Sequence, residues 1–213
     1  MASLKPKLQV TVFSDYICPF CYIGDARLNR LRDQYDLKVN WNPLEIHPET
    51  SAKGVSVSSL GYSDTTWAQI MASLQALAAE DGLALGDCRL TTNSHSTLLL
   101  AEATKRYDVS KFYRLHQGLF ETLFVKGDNI GDKEVLRQIS RVVGLPSDLI
   151  DDAWGDPQYE SYLQAYCDNA TSLKVEATPI FIIGDKRLDG VVSLTQLYAA
   201  AADACLSRSS YNE

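Results

Sequence analysis

The order of its predicted elements places this chain in the α/β class. A strand, a helix and a second strand come first, a long stretch of helical periodicity follows, and two short strands and a helix come last. Neither end carries enough strands for a stable sheet, so we expect the strands of both ends to form one. The sequence thus predicts a discontinuous α/β domain, residues 1–62 and 174–213, interrupted by a helical insertion domain, residues 63–173.

The first three elements lie within the first fifty residues. "KLQVTVF", residues 7–13, predicts a strand because it is rich in β-branched and aromatic residues. In the helix that follows, Pro19 suits the first turn, where its missing N–H would have no helical partner. "LKVNWNPLEI", residues 37–46, predicts the second strand. This spacing permits a right-handed crossover between two parallel strands.

Residues 63–173 show helical periodicity almost throughout, in several separate runs. At this spacing the aromatic residues Trp67, Phe112 and Phe120 are expected in the core. His116 lies on the same apolar face, and we expect it to pack there. Each run begins near a residue able to cap a helix N-terminus: Asp64, Ser110, Asp132 and Asp156.

Strand character returns after the insertion. "TPIFII", residues 178–183, is apolar, rich in isoleucine and closed by Gly184. "KRLDG", residues 186–190, predicts a short edge strand, and Ser193 can cap a final helix.

Composition and charge exclude several classes of function. With 213 residues, 46% of them hydrophobic, the chain can bury a full core without disulfides. Its formal net charge is -7 and its Lys and Arg residues do not cluster, so we expect no nucleic-acid partner. The first residues contain no apolar stretch of signal-peptide length, and nowhere do about 18 apolar residues run uncharged. We therefore expect a soluble, cytoplasmic protein with no membrane partner.

Two of the five cysteines form the motif Cys18-Pro19-Phe20-Cys21 at the start of the first helix. Disulfide exchange needs a reachable thiolate of lowered pKa and a second thiol that can resolve the mixed disulfide. A helix N-terminus favours negative charge on Cys18 through its unpaired backbone N–H groups, and Cys21 lies one turn on. The motif also follows a strand and opens a βαβ unit, which favours redox chemistry.

Two other interpretations of the pair are a zinc site and two inert buried thiols. Zinc would need two further ligands, whereas the histidines and the remaining cysteines are scattered singly. We therefore expect no metal and no bound cofactor. The odd number of cysteines also argues against a structural disulfide framework. Three cysteines are expected as small apolar residues in or near the core: Cys88, Cys167 and Cys205.

Four blocks of sequence, in order, resemble the DsbA-like thioredoxin-fold oxidoreductases, and specifically their cytoplasmic FrnE-like branch. They are "VFSDYICPFCYIG", "NSHSTLLLAEATKRYD", "FYRLHQGLFETLFVKGDNIGDKEVLRQIS" and "EATPIFIIGDKRLDG". The resemblance extends from about residue 8 to residue 205. It implies a thioredoxin fold with a large all-helical insertion, in agreement with the order of elements.

The resemblance also implies roles for residues. Cys18 would be the attacking thiol, Cys21 the resolving thiol, and Pro179 a cis-proline facing the pair. Thr178 would then present its backbone to an extended substrate beside Cys18. The residues alone favour an ordinary trans proline at the start of a strand. The partners would be thiols or disulfides of proteins or small molecules.

Pro19 and Phe20 lie between the two cysteines, so we expect them to contact substrate as well. The FrnE-like branch commonly has tryptophan at the position of Phe20, and periplasmic DsbA proteins have histidine there. Without a histidine that donates to the thiolate, we predict a Cys18 less acidic than the thiol of DsbA, whose pKa is about 3.5.

Asp15, three residues before Cys18, either accepts a proton during exchange or stabilises the strand-to-helix turn. The sequence predicts a thiol-disulfide oxidoreductase or isomerase with glutathione or another small thiol as a possible redox partner. The alternative is a glutathione-dependent enzyme resembling kappa-class glutathione transferases and 2-hydroxychromene-2-carboxylate isomerases, although those typically have serine at the position of Cys18. A third hypothesis is a binding or chaperone module whose thiols act as a switch. The helical insertion also offers surface for a homodimer.

Overall fold

The structure, a computed structural model, describes residues 5–61 and 63–209. The predicted α/β domain, residues 1–62 and 174–213, includes residues 1–4, 62 and 210–213, which lie outside the described residues. The strands are β1 (Lys7–Ser14), β2 (Asp36–Pro43), β3 (Val55–Ser56), β4 (Leu90–Thr91), β5 (Ile180–Ile183) and β6 (Lys186–Asp189). The helices are α1 (Pro19–Asn29), α2 (Asp64–Glu80), α3 (His95–Tyr107), α4 (Val109–Glu121), α5 (Lys133–Val143), α6 (Ser147–Gly155), α7 (Pro157–Ser172) and α8 (Leu194–Ser209).

Strands from both ends of the chain form one sheet, as predicted. Its order is β2-β1-β5-β6, with β1 parallel to β2 and antiparallel to β5. Val10 of β1 pairs with Val39 on one side and with Ile183 on the other. The β1–β2 pair is parallel and is joined through α1, which confirms the predicted parallel pairing, while the right hand of the crossover stays a prediction.

Neighbouring residues of a strand point to opposite sides of the sheet, and both faces of this sheet pack against helices. On one face Val10 and Val12 belong to the large core that includes residues of α1 and α8 and Phe181. On the other face Phe13 packs in a smaller cluster that contains Ala170 of α7. The end of β1, which precedes the two cysteines, therefore packs against buried residues on both faces of the sheet.

Most of the segment predicted as helical is helical, but it is interrupted between α2 and α3. There the short strand β4 pairs with β3, so that Val55 lies opposite Thr91. This antiparallel pair spans the predicted boundary at residue 62. The division of the chain into two domains stays a prediction.

The structure corrects two of the predicted helix caps. Ser63 caps α2 and Asp108 caps α4, rather than Asp64 and Ser110. Each side chain accepts a backbone N–H two or three residues further on, which satisfies an otherwise unpaired donor. Three predicted caps are confirmed: Asp132, Asp156 and Ser193.

The three cysteines outside the motif differ in environment. Cys88 and Cys205 are half-buried and pack against the large core. The prediction for Cys167 is wrong, because this residue is exposed on α7. Ala170 is the one residue of α7 that is fully buried, so most of that helix faces solvent.

Candidate active site

Cys18 stands at the N-terminus of α1, where the sequence places it. It is the N-cap residue, its backbone is extended, and its carbonyl accepts the N–H groups of Cys21 and Tyr22 at 3.0 and 3.3 Å. Pro19 occupies the first turn of the helix. Cys21 lies one turn on, and both cysteines are free thiols, exposed by 5% and 1%.

The two thiols differ in acidity because their hydrogen bonds and their burial act in opposite directions. The pKa of Cys18 is lowered, first by the hydrogen bond from the Cys21 thiol and then by hydrogen bonds from Thr178 and from the backbone N–H of Cys21, which together outweigh burial. The pKa of Cys21 is raised well above its ordinary value by burial and by its neighbour Cys18. Cys18 is therefore the thiol poised to ionise.

The loop before β5 contacts the pair of Cys18 and Cys21. The peptide bond between Thr178 and Pro179 is cis, as the resemblance implied. The Cys18 thiol donates to the Thr178 carbonyl oxygen at 3.5 Å. The buried Thr178 hydroxyl has no other hydrogen-bond partner among the described residues, and it lowers the pKa of both thiols.

Gly24 lets α1 approach this loop. A Cβ atom at that position would lie 3.0 Å from Cζ of Phe181 and 3.2 Å from Cγ of Pro179. Contacts this short force a neighbour to move, so only glycine fits without a shift. The side chain of Phe20, by contrast, is 37% exposed, and Pro19 is half-buried. An aromatic ring is therefore at the surface beside the thiols, and its predicted contact with substrate stays a prediction.

Comparison with known proteins now assigns the family. The family description "DSBA-like thioredoxin domain" matches residues 9–202. The chain belongs to the DsbA-like thioredoxin family. Its fold is accordingly the DsbA-like thioredoxin fold, in which helices are inserted into the α/β unit.

Individual relatives of this DsbA-like chain are distant. YwbO from Bacillus subtilis (strain 168) is 26% identical over 203 residues, which are 92% of this chain and 96% of that protein. A solved structure of a probable DsbA oxidoreductase from Streptomyces coelicolor superposes with a TM-score of 0.82 at 21% identity, covering 92% of this chain and 89% of that chain. A 2-hydroxychromene-2-carboxylate isomerase superposes with a TM-score of 0.71 at 16% identity, covering 95% and 98%. The structural likenesses show the shared fold.

Asp15 is buried in the turn that carries Cys18 of this DsbA-like chain. Its carboxylate accepts the N–H of Ile46 at 2.9 Å, the hydroxyl of Ser94 at 3.0 Å and the N–H of Ile17 at 3.4 Å. Its carbonyl accepts the N–H of Cys18 at 3.2 Å. Burial raises the pKa of Asp15 to about 6, against the opposing effect of these hydrogen bonds. The carboxylate thus connects the cysteine turn to the N-terminus of α3.

An ionic cluster lies next to this connection. The His95 ring nitrogens lie 3.1 Å from a Glu45 oxygen and 2.8 Å from a Glu160 oxygen. These two carboxylates raise the pKa of His95 to about 9, with the Glu45 hydrogen bond as the largest cause. His95 is therefore charged at neutral pH and holds α7 to the segment after β2.

His116 is buried among aromatic rings, as the helical pattern predicts, but it also has polar partners that the pattern does not reveal. Its Nδ1 lies 2.8 Å from the Tyr16 hydroxyl, and its Nε2 lies 3.3 Å from Oδ1 of Asp25. Phe112 and Phe120 are buried as expected, whereas Trp67 is only half-buried. His116 thus joins α4 to the residues on either side of the dithiol.

Two further properties bear on the alternatives. Among residues 5–61 and 63–209 no group of three or more His, Cys, Asp or Glu residues lies together in a way that could hold a metal ion. Within the same part of the chain, no helix has the length and apolar character to cross a membrane. The expectations of cytoplasmic location, of a possible homodimer and of membership in the FrnE-like branch stay predictions.

Proposed function

We propose that this protein is a thiol-disulfide oxidoreductase in which Cys18 attacks, or is attacked by, a substrate sulfur and Cys21 resolves the mixed disulfide. The observation that carries the proposal is the asymmetry of the pair. Cys18 lies at the helix N-terminus with a lowered pKa, and Cys21 lies behind it with a raised one. Thiolate attack requires such a division between an ionised thiol and a reserve thiol.

The loop with Pro179 supports the same proposal. The Thr178 carbonyl is 3.5 Å from the Cys18 sulfur, so a chain that pairs with this backbone would bring its own sulfur to Cys18. Phe20 would add apolar contact on the exposed side. Substrates are then extended segments that carry a disulfide or a thiol, and glutathione or another small thiol would reset the couple.

The test is exchange activity in cysteine variants. We expect the wild type to catalyse insulin reduction, Cys18→Ser to lose the activity, and Cys21→Ser to accumulate a mixed disulfide that is visible by mass spectrometry. Cys167→Ser, at an exposed position on α7, is the matched control and should behave as wild type. Turnover of an electrophile with glutathione that survives Cys21→Ser would point instead to a glutathione-dependent transferase or isomerase.

A further inference from the structure

Cys21 must lose its thiol proton when it resolves a mixed disulfide, and the destination of that proton is inferred here on the basis of the proposed function. Cys21 is 1% exposed, and its raised pKa keeps it protonated until it attacks. Asp15 is buried in the cysteine turn, where its carboxylate accepts hydrogen bonds from Ile17, Ile46 and Ser94. The Cys21 thiol hydrogen-bonds to Ser14 instead, which gives its proton a route that does not begin at Asp15.

A small cavity of about 20 Å³ lies next to Ser14 at the end of β1. The Ser14 side chain hydrogen-bonds to the Cys21 thiol and also lines this cavity, as does Tyr16. Trp41 lines it too, and its indole N–H has no hydrogen-bond partner among the described residues. A space of this volume holds about one water molecule when several polar groups surround it.

His116 forms part of the wall of the same cavity. Nε2 of His116 faces Oδ1 of Asp25 at 3.3 Å, and a neighbouring carboxylate favours the tautomer with its proton on Nε2. Nδ1 is then free to accept from the Tyr16 hydroxyl at 2.8 Å. The contact with Asp25 lies within ion-pair distance but outside hydrogen-bond geometry, and neither atom has another partner among the described residues. A carboxylate near one imidazole nitrogen and a hydroxyl at the other favour the imidazole as a proton acceptor.

His116 also lines an open groove of about 450 Å³ between α1 and α4, which we call the α1–α4 groove. Asp25 lines this groove on the α1 side. The imidazole therefore separates the small cavity from a space that reaches solvent, and a proton received on one side can leave on the other.

We propose that His116 is the acceptor of the Cys21 proton when the mixed disulfide is resolved. The proton passes from Cys21 to the Ser14 hydroxyl, through one water in the cavity to the Tyr16 hydroxyl, and from there to Nδ1 of His116. The electron pair left on Cys21 forms a bond to the Cys18 sulfur, and the bond from Cys18 to the substrate sulfur breaks. The substrate leaves as a thiolate, and Asp25 stabilises the imidazolium until its proton passes to water in the α1–α4 groove.

Other charged residues near the imidazole line the small cavity and the α1–α4 groove. Glu102 and Lys105 of α3 line the small cavity, but they bind each other at 2.5 Å. Arg106 also pairs with Glu102, at 2.7 Å, which makes that carboxylate a poor proton acceptor. Two further charged residues line the α1–α4 groove: Arg32 and Glu121.

The experiment is the two-step reaction of the fully reduced protein with dithiobis(nitrobenzoate), followed by stopped-flow absorbance. Cys18 releases one coloured thiolate when it forms the mixed disulfide, and Cys21 releases a second when it resolves it. We expect Tyr16→Phe to slow the second step about tenfold or more near neutral pH, with the first step changed less than about threefold. The deficit should shrink as pH rises, because hydroxide then takes the Cys21 proton directly.

Tyr22→Phe is the matched control. Tyr22 lies in the same aromatic group, but its hydroxyl donates to the Ala84 carbonyl at 3.2 Å and it does not line the small cavity. Both steps should stay unchanged in this variant. An unchanged second step in Tyr16→Phe, or equal slowing of both steps at every pH, overturns the proposal. If Tyr16→Phe does not fold, His116→Gln takes its place with the same expected results. A wild type that gives no second release would instead refute the proposed function.

Discussion

The sulfur of Cys18 lies 3.5 Å from the carbonyl oxygen of Thr178, 160 residues further along the chain. The contact joins the two halves of the discontinuous α/β unit at the point where a substrate sulfur would arrive. Its geometry depends on two close approaches, one of α1 to the loop before β5 and one of the cysteine turn to α3.

The first approach depends on Gly24. We expect Gly24→Ala to lower the free energy of unfolding by about 1–3 kcal/mol, because the added methyl group overpacks against Phe181 and Pro179. Exchange activity should fall as well, since Pro179 is displaced relative to Cys18. Urea unfolding and an insulin-reduction assay measure the two effects. Gly155→Ala, where a Cβ would meet nothing within 4 Å, is the control, and equal stability of the two variants would refute this explanation.

Asp15 makes stability depend on pH. Its pKa of about 6 in the folded protein exceeds the ordinary value of about 3.9 in the unfolded chain, so folding favours the protonated form. The stability that this group contributes is fully present below about pH 4 and is lost as pH rises through about 6. Asp15→Asn lacks this titration, so its free energy of unfolding should improve relative to wild type by up to about 3 kcal/mol between about pH 4 and pH 7. Urea titrations at several pH values that give a constant difference would contradict the assignment.

Much of the fold and the dithiol follow from the sequence, for reasons that particular residues show. The β1–α1–β2 order is encoded locally, in the strand pattern before Asp15 and in Pro19 at a helix start. The position of Cys18 at the helix terminus follows from the same local signals. The cis conformation at Pro179 does not, since the residues alone favour trans and only the family resemblance implied cis.

Other features escape prediction because they depend on long-range contact or on neighbouring candidates. The strands β3 and β4 have two residues each, too few to show a period. The contact of His116 with Asp25 joins residues far apart, and a histidine on an apolar helix face gives no sign of a partner. Two caps are displaced because Ser63 stands beside Asp64 and Asp108 stands near Ser110, and the propensities of these residues as caps are similar.

A buried ion pair between α1 and the end of α2 offers a test of stability. Arg27 binds Asp81 at 2.6 Å and Glu80 at 2.7 Å, with side-chain exposures of 5%, 7% and 65% respectively. We expect Asp81→Ala to cost about 3 kcal/mol, because it leaves Arg27 buried without its main counterion. Glu80→Ala should cost less than about 1 kcal/mol, since that carboxylate is solvated. Similar losses in both variants, measured by urea unfolding, would be inconsistent with this difference in burial.

The acidity of Cys18 should depend on its partner. The Cys21 thiol is the largest cause of the lowered pKa, so Cys21→Ala should raise the pKa of Cys18. Cys21→Ser keeps a donor at the same position and should raise it less. The rate of carbamidomethylation as a function of pH reports the pKa in each variant. Equal values in the two variants would assign the acidity to the helix terminus rather than to the thiol.

The division of labour between the two cysteines is tested most directly by alkylation of the fully reduced wild-type protein. Limiting iodoacetamide is applied across a range of pH, and the modified cysteine is identified by peptide mass mapping. We predict that Cys18 is labelled first, with an apparent pKa below the ordinary thiol value of about 8.5 but above about 3.5, while Cys21 stays unlabelled. Labelling of Cys21 first, or a Cys18 pKa at or above the ordinary value, would contradict the account.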